Sequence, residues 1–182
     1  MKRYLIVFTA FFVVTMGFAS LSYAVISGSA HDFSTFGWSN NEICLPCHTP
    51  HNANTLPDAP LWNHELTTAS YTLYTSSTLD ATMGQPDGRS KLCLSCHDGT
   101  VAIDSFGGVT GGTTITGDAN LGTDLRDDHP VSFEWGTPHP ILGAPCLKCH
   151  FGAVDPLPFF DNGSGNNNRL ECATCHDVHN SY

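Results

Sequence analysis

The chain has 182 residues, with seven Lys and Arg against seventeen Asp and Glu, so its formal net charge is −10. This acidic balance excludes nucleic acid and anionic lipid as expected partners and leaves cationic surfaces, metal ions and mineral oxides as candidates. The length is that of one domain.

The first 24 residues are typical of an export signal. Lys2 and Arg3 form a basic start, the stretch 5–18 is apolar, and Ser22-Tyr23-Ala24 offers small residues for cleavage. A membrane anchor is the alternative, but the apolar stretch is short for a span. We expect a cleaved signal peptide over 1–24 and an exported chain over 25–182, placed at the cell surface, outside the cell or in the periplasm. Without Lys2 and Arg3, five basic residues face seventeen acidic ones, a formal charge of −12.

Regular secondary structure is expected to be sparse after the leader. Glycine and proline number 17 and 11, and no stretch sustains a helical period over three turns. Short strands are predicted at 71–74 and 113–116, short helices at some of the cysteine motifs, and a polar loop at 161–168. The predicted fold class is mostly irregular coil with a few short helices and minimal β structure, in a single domain.

All eight cysteines lie in four copies of Cys-x-x-Cys-His, numbered here motifs 1 to 4 in chain order. Their members are Cys44, Cys47 and His48; Cys93, Cys96 and His97; Cys146, Cys149 and His150; and Cys172, Cys175 and His176. This spacing is the attachment signature of c-type haem, in which both thiols bond the porphyrin and the histidine ligates the iron. Zinc ribbons and a disulfide framework are the alternatives, but neither requires a histidine after each cysteine pair.

Four haem c groups would leave about forty residues per porphyrin, which is too little protein for a conventional apolar core. We therefore expect the porphyrins themselves to form the core of a multihaem cytochrome c, with covalent attachment replacing much ordinary packing.

The second axial ligand of each iron is expected to be histidine. Methionine is the common alternative, but Met83 is the only one after the leader. The histidines outside the motifs are His31, His51, His64, His129, His139 and His179. Bis-histidine ligation throughout would leave no open iron, which indicates electron carrying rather than catalysis. The distal candidates are His31, His51, His64, His129 and His179, whereas His139 between two prolines is expected to be structural.

Two of these histidines follow a motif histidine by three residues. His51 follows His48, and His179 follows His176. Residues three apart on a helical turn lie on roughly the same face, and a histidine this close cannot reach the far side of its own porphyrin. Each is therefore predicted to ligate a different iron and to link two haems. His129 follows Asp127 and Asp128, whose carboxylates could orient its ring.

Several segments together resemble the multihaem cytochromes with doubled Cys-x-x-Cys-His motifs, and most closely the OmcE-type tetrahaem cytochromes. The segments are 31–34 (HDFS), 43–53 (ICLPCHTPHNA), 61–64 (LWNH), 92–100 (LCLSCHDGT), 128–131 (DHPV) and 175–179 (CHDVH). The resemblance implies an extracellular filament in which haems stack from subunit to subunit and a histidine of one subunit ligates a haem of the next. His31, on the N-terminal arm, is the expected donor.

The sequence thus predicts electron transfer through four bis-histidine haems, as the repeating subunit of a conductive homopolymer. Redox proteins or metal oxides are the expected partners, without nucleic acid or a stable membrane span. A discrete periplasmic carrier is the alternative, and a multihaem reductase, which needs an open iron, is less favoured.

Overall fold

The computed structural model describes residues 26–56, 59–79, 81–134, 158–161 and 169–179. The expected signal peptide, motif 3 and His139 lie outside these ranges. The α-helices and strands are β1 Asn54–Leu56, β2 Ala59–Trp62, β3 Thr72–Leu73, α1 Gly88–His97, β4 Asp124–Leu125, β5 Phe133–Glu134, β6 Arg169–Leu170 and α2 Cys172–Cys175.

The strands form three separate two-stranded sheets. β1 and β2 are antiparallel, β3 and β4 are parallel, and β5 and β6 are antiparallel. Much of the remaining described chain is turn and coil, with three single-turn 3-10 helices at Phe33–Thr35, Gly37–Ser39 and Gly117–Ala119. The predicted coil-rich class with few helices and little β structure is confirmed for the described residues.

Helices form at two of the three motifs that the structure describes. α1 contains motif 2 and ends where Asp98 donates its N–H to Leu94 and Gly99 follows at φ +71°, a left-handed conformation that favours glycine. α2 contains the cysteines of motif 4 and packs on α1. Motif 1 is a single turn, because the chain leaves it at His48 to pair with Trp62.

The strand predicted at 71–74 is present as β3, but the strand predicted at 113–116 is wrong. The N–H groups of Gly112 and Thr113 donate to the carboxylate of Asp104, at 3.0 and 2.8 Å. A side chain therefore occupies donors that a neighbouring strand would have used.

The apolar core of the described part is small. Tyr71, Leu94 and Leu125 form its cluster, with Ala69 and Leu73 packed against it. Polar side chains are buried beside it, above all Asp98, which accepts hydrogen bonds from Thr67 Oγ1 and from the Tyr71 hydroxyl, both at 2.6 Å. Burial by itself would raise the pKa of Asp98, but these bonds and those from Thr100 lower it, so Asp98 is a buried carboxylate.

Within the described ranges, no helix has the length and apolar character needed to cross a bilayer.

Replacing Tyr71 by Phe removes the hydroxyl that donates to the buried carboxylate of Asp98. Because hydrogen bonds to charged groups are among the stronger ones, we expect Tyr71→Phe to lower the free energy of unfolding by about 2 kcal/mol. The partly buried Tyr74 offers the control, and Tyr74→Phe should change it by less than about 0.5 kcal/mol. Denaturant titration measures both; equal losses would contradict a specific role for the Tyr71–Asp98 bond.

Candidate functional site

Motif 1 is held by the strand that follows it. Its turn closes when the N–H groups of Cys47 and His48 donate to the carbonyl of Cys44, at 3.2 and 2.8 Å. Asn63, which is buried, then ties the turn down: its N–H donates to Cys47 O at 2.9 Å and its Nδ2 to Leu45 O at 2.6 Å. The cysteines and histidine of motif 1 are therefore fixed from outside the motif.

The ring of His48 has a defined orientation. Its Nδ1 lies 2.9 Å from the carbonyl oxygen of Pro60, and since a carbonyl only accepts, Nδ1 carries the proton. This arrangement leaves Nε2 as the basic nitrogen, as in metal-binding histidines whose other nitrogen donates to a carbonyl. His179 lies beside it, with 6.2 Å between ring centroids and 23° between ring planes.

Motif 2 shows the same device at the end of α1. Nδ1 of His97 donates to the carbonyl oxygen of Ala119 at 2.7 Å, and the N–H of Leu121 donates to His97 O at 2.7 Å. His31 lies beside His97, with 6.0 Å between ring centroids. Burial lowers the pKa of His31, and the nearby rings of His97 and His179 lower it further, which favours the neutral imidazole that metals bind.

Two pairs of histidines singled out in the sequence are neighbours in the structure. The ring centroids of His48 and His179 are 6.2 Å apart, and those of His31 and His97 are 6.0 Å apart. The structure thus brings together four of the histidines singled out in the sequence.

The thiols of the three described motifs lie in one region. Burial raises the pKa of Cys47 to about 11 and that of Cys96 to about 12, and the nearby Cys47 raises the pKa of Cys96 further. The neighbouring thiols of Cys93 and Cys172 shift each other's pKa in opposite directions: that of Cys93 is raised and that of Cys172 is lowered to about 7. Motif 2 therefore lies beside both motif 1 and motif 4.

The remaining histidine candidates are placed differently. His64 is buried, with Nδ1 2.8 Å from Glu65 O and Nε2 3.1 Å from Ala102 O and 3.4 Å from Cys96 Sγ. Both ring nitrogens of His64 therefore lie at carbonyl oxygens, and ligation of an iron would require one of these two contacts to break. Nδ1 of His129 lies 2.8 Å from Pro130 O, and His51 is exposed. Their roles as ligands stay predictions.

His31 was expected to ligate a haem of a neighbouring subunit, and in the structure it lies in a folded turn of its own chain. Asp32 caps the helical turn Phe33–Thr35 by accepting the N–H of Ser34 at 3.0 Å, and it also accepts that of Gly28 at 2.7 Å. These bonds fold the N-terminal segment into a compact turn. The ring of His31 lies beside that of His97 of its own chain.

Three polar residues at the site were missed by sequence reasoning. Asn63 supports motif 1, Asp98 follows the histidine of motif 2, and Glu171 precedes the first cysteine of motif 4. Each is buried, at 8, 4 and 1% exposure. Adjacency to a motif was an available signal for Asp98 and Glu171 but not for Asn63, and nothing in the local pattern distinguishes a buried polar residue from an exposed one.

No family model and no curated protein matches this chain. Among the described residues, no group of three or more His, Cys, Asp or Glu side chains is arranged to hold a bare metal ion.

Gly99 lies two residues after His97 and packs close to Asn120, the residue after Ala119, whose carbonyl accepts from His97. A Cβ at Gly99 would lie 2.7 Å from the side-chain amide atoms of Asn120, whose Oδ1 accepts the N–H of Gly122. We expect Gly99→Ala to cost about 1 kcal/mol through its positive φ and about 1 kcal/mol more through loss of the Asn120 bond.

The control is Gly107→Ala, at φ +64° with no atom within 4 Å of the added Cβ. It isolates the backbone cost. Thermal unfolding of the two variants should therefore differ, and identical midpoints would show that contact with Asn120 contributes nothing.

Proposed function

We propose that this chain binds four c-type haems through its four Cys-x-x-Cys-His motifs and transfers electrons along them. The observation that carries the proposal is the set of four Cys-x-x-Cys-His motifs, which account for all eight cysteines. The imidazole of His48 lies beside that of His179, and the imidazole of His31 lies beside that of His97, which supports histidine as the second ligand. Bound haem iron supplies the chemistry, cycling between its ferric and ferrous forms.

The chain's own residues support this in three ways. At motifs 1 and 2 the carbonyls of Pro60 and Ala119 fix the histidine tautomer, so that Nε2 is the ligating nitrogen. The thiols of Cys93 and Cys96 lie three residues apart on α1, in reach of one porphyrin edge. Trp62 packs on His48, and its indole N–H is buried without a partner in the described structure, which suits a propionate acceptor.

The small size of the apolar core also supports the proposal that haems are bound. The buried apolar cluster of the described residues rests on Tyr71, Leu94 and Leu125, while many buried side chains are polar. A chain of this composition gains stability if covalently attached porphyrins supply apolar surface between its motifs.

In the proposed arrangement, the segment from His176 to His179 serves two haems. His176 belongs to motif 4, and His179, three residues later, lies against His48 of motif 1. This is the link expected for a His-x-x-His pair. For His51, the described residues offer no imidazole of motifs 1, 2 or 4 as a ring partner, so its role as a second link stays a prediction.

His179→Ala tests the first link. The variant should keep its thioether attachments, since no cysteine is altered, but one iron should become high-spin because His48 loses its opposing ring. Val178→Ala, an exposed neighbour, is the matched control and should stay low-spin. Electron paramagnetic resonance of the oxidised proteins measures the change; a fully low-spin spectrum for His179→Ala would exclude the His48–His179 pairing.

The proposal includes assembly into an extracellular filament, in which the row of haems continues from one subunit to the next. This part rests on the family resemblance. A discrete exported carrier is the second candidate. It is favoured by one observation: the ring of His31 lies beside His97 of its own chain.

His31→Ala separates the two roles of His31. If His31 serves its own subunit, a high-spin iron should be present even in dilute, unassembled protein, and electron microscopy should show the same assemblies as the unaltered chain. If His31 is donated to a neighbour, the unassembled protein should give the same spectrum with or without the substitution, and filaments should be lost. The intrachain geometry predicts the first result, and the second would overturn it.

A further inference from the structure

The side chain of Glu171 lies almost fully enclosed between the helices of motifs 2 and 4, with 1% of its surface exposed. Its Oε2 accepts the N–H of Ser90 at 3.2 Å, the hydroxyl of Ser90, and the hydroxyl of Ser132 at 2.9 Å. Its Oε1 accepts Nε of Arg169 at 3.3 Å. No other buried carboxylate in the described ranges lies between two motifs.

Both oxygens of the Glu171 carboxylate act as hydrogen-bond acceptors. Their partners are N–H and O–H donors of Ser90, Ser132 and Arg169. Arg169 compensates only part of the charge, because its guanidinium also bonds Asp87. Two carboxylates and one guanidinium give this cluster a formal charge of −1.

This charge is close to the attachment points of two sites. Ser90 precedes Cys93 by three residues on α1, and its hydroxyl accepts the N–H of Cys172 at 3.0 Å. Glu171 is the residue before Cys172, and the helix that Cys172 begins packs on α1, which carries Cys93. The same carboxylate therefore lies beside the first cysteine of motif 2 and the first cysteine of motif 4.

Resting on the proposed function, we propose that Glu171 is a fixed buried anion that lowers the reduction potentials of the two haems attached at motifs 2 and 4. Reduction of ferric to ferrous iron removes one positive charge from the site, so a nearby anion opposes it. Burial makes the effect larger than that of a surface carboxylate, because neither water nor salt screens it fully. Glu171 is a positioning and tuning residue that contacts no iron.

Glu171→Gln tests the proposal directly. It keeps the shape of the side chain and most of its hydrogen bonds but removes the charge. In an electrode-based titration of the purified haem-loaded protein, two of the four midpoint potentials should rise while the other two move little. Glu42→Gln is the control, since it removes one negative charge at an exposed position, and should shift no midpoint resolvably.

Two further variants distinguish charge from structure. Glu171→Asp retains the charge and should leave the midpoints near those of the unaltered protein. Arg169→Gln removes the compensating cation and should shift the same two midpoints downward, opposite in sign to Glu171→Gln. This reversal keeps the test decisive even where Glu171→Gln does not fold.

A Glu171→Gln protein whose midpoints match those of Glu42→Gln would overturn the inference, as would an upward shift in Arg169→Gln. Failure of the proposed function would look different. The unaltered protein would then contain no covalent haem, and no midpoint could be measured for any variant.

Discussion

The interaction on which the site depends is the hydrogen bond from Nδ1 of a motif histidine to a backbone carbonyl. His48 donates to Pro60, and His97 donates to Ala119. Because the carbonyl accepts the proton on Nδ1, it fixes the orientation of the ring and leaves Nε2 as the basic nitrogen. Strand β2 and the 3-10 helix Gly117–Ala119 supply these carbonyls and are therefore part of the site.

The fold around these bonds is built more from polar contacts than from apolar packing. Asn63 ties motif 1 to β2, Asp98 joins α1 to the segment 67–71, and Glu171 joins α1 to α2. Each acts from within or beside a motif. Networks of this kind specify relative positions closely, since an unsatisfied buried polar group would be costly. Such precision suits a protein whose proposed work is to hold several redox groups at set distances.

Parts of this arrangement were predictable from the sequence and parts were not. The motifs, the coil-rich class and the strand at 72–73 follow from local patterns of cysteine, glycine and β-branched residues. The strand predicted at 113–116 does not form, because the N–H of Thr113 donates to the side chain of Asp104, nine residues earlier. The pairing of His48 with His179 joins two segments far apart in the sequence, which motif spacing cannot predict. For His31 a local signal did exist, because Asp32 and Ser34 form a recognisable helix cap.

The central claim is that the eight cysteines hold haem. Its most direct test is mass spectrometry of the protein exported from a host that attaches c-type haem. We predict an intact mass corresponding to four haems and peptides in which Cys44, Cys93, Cys146 and Cys172, with their second cysteines, are thioether-linked. The account would be contradicted if all eight cysteines could be alkylated after reduction, or if the protein released bound zinc on treatment with acid.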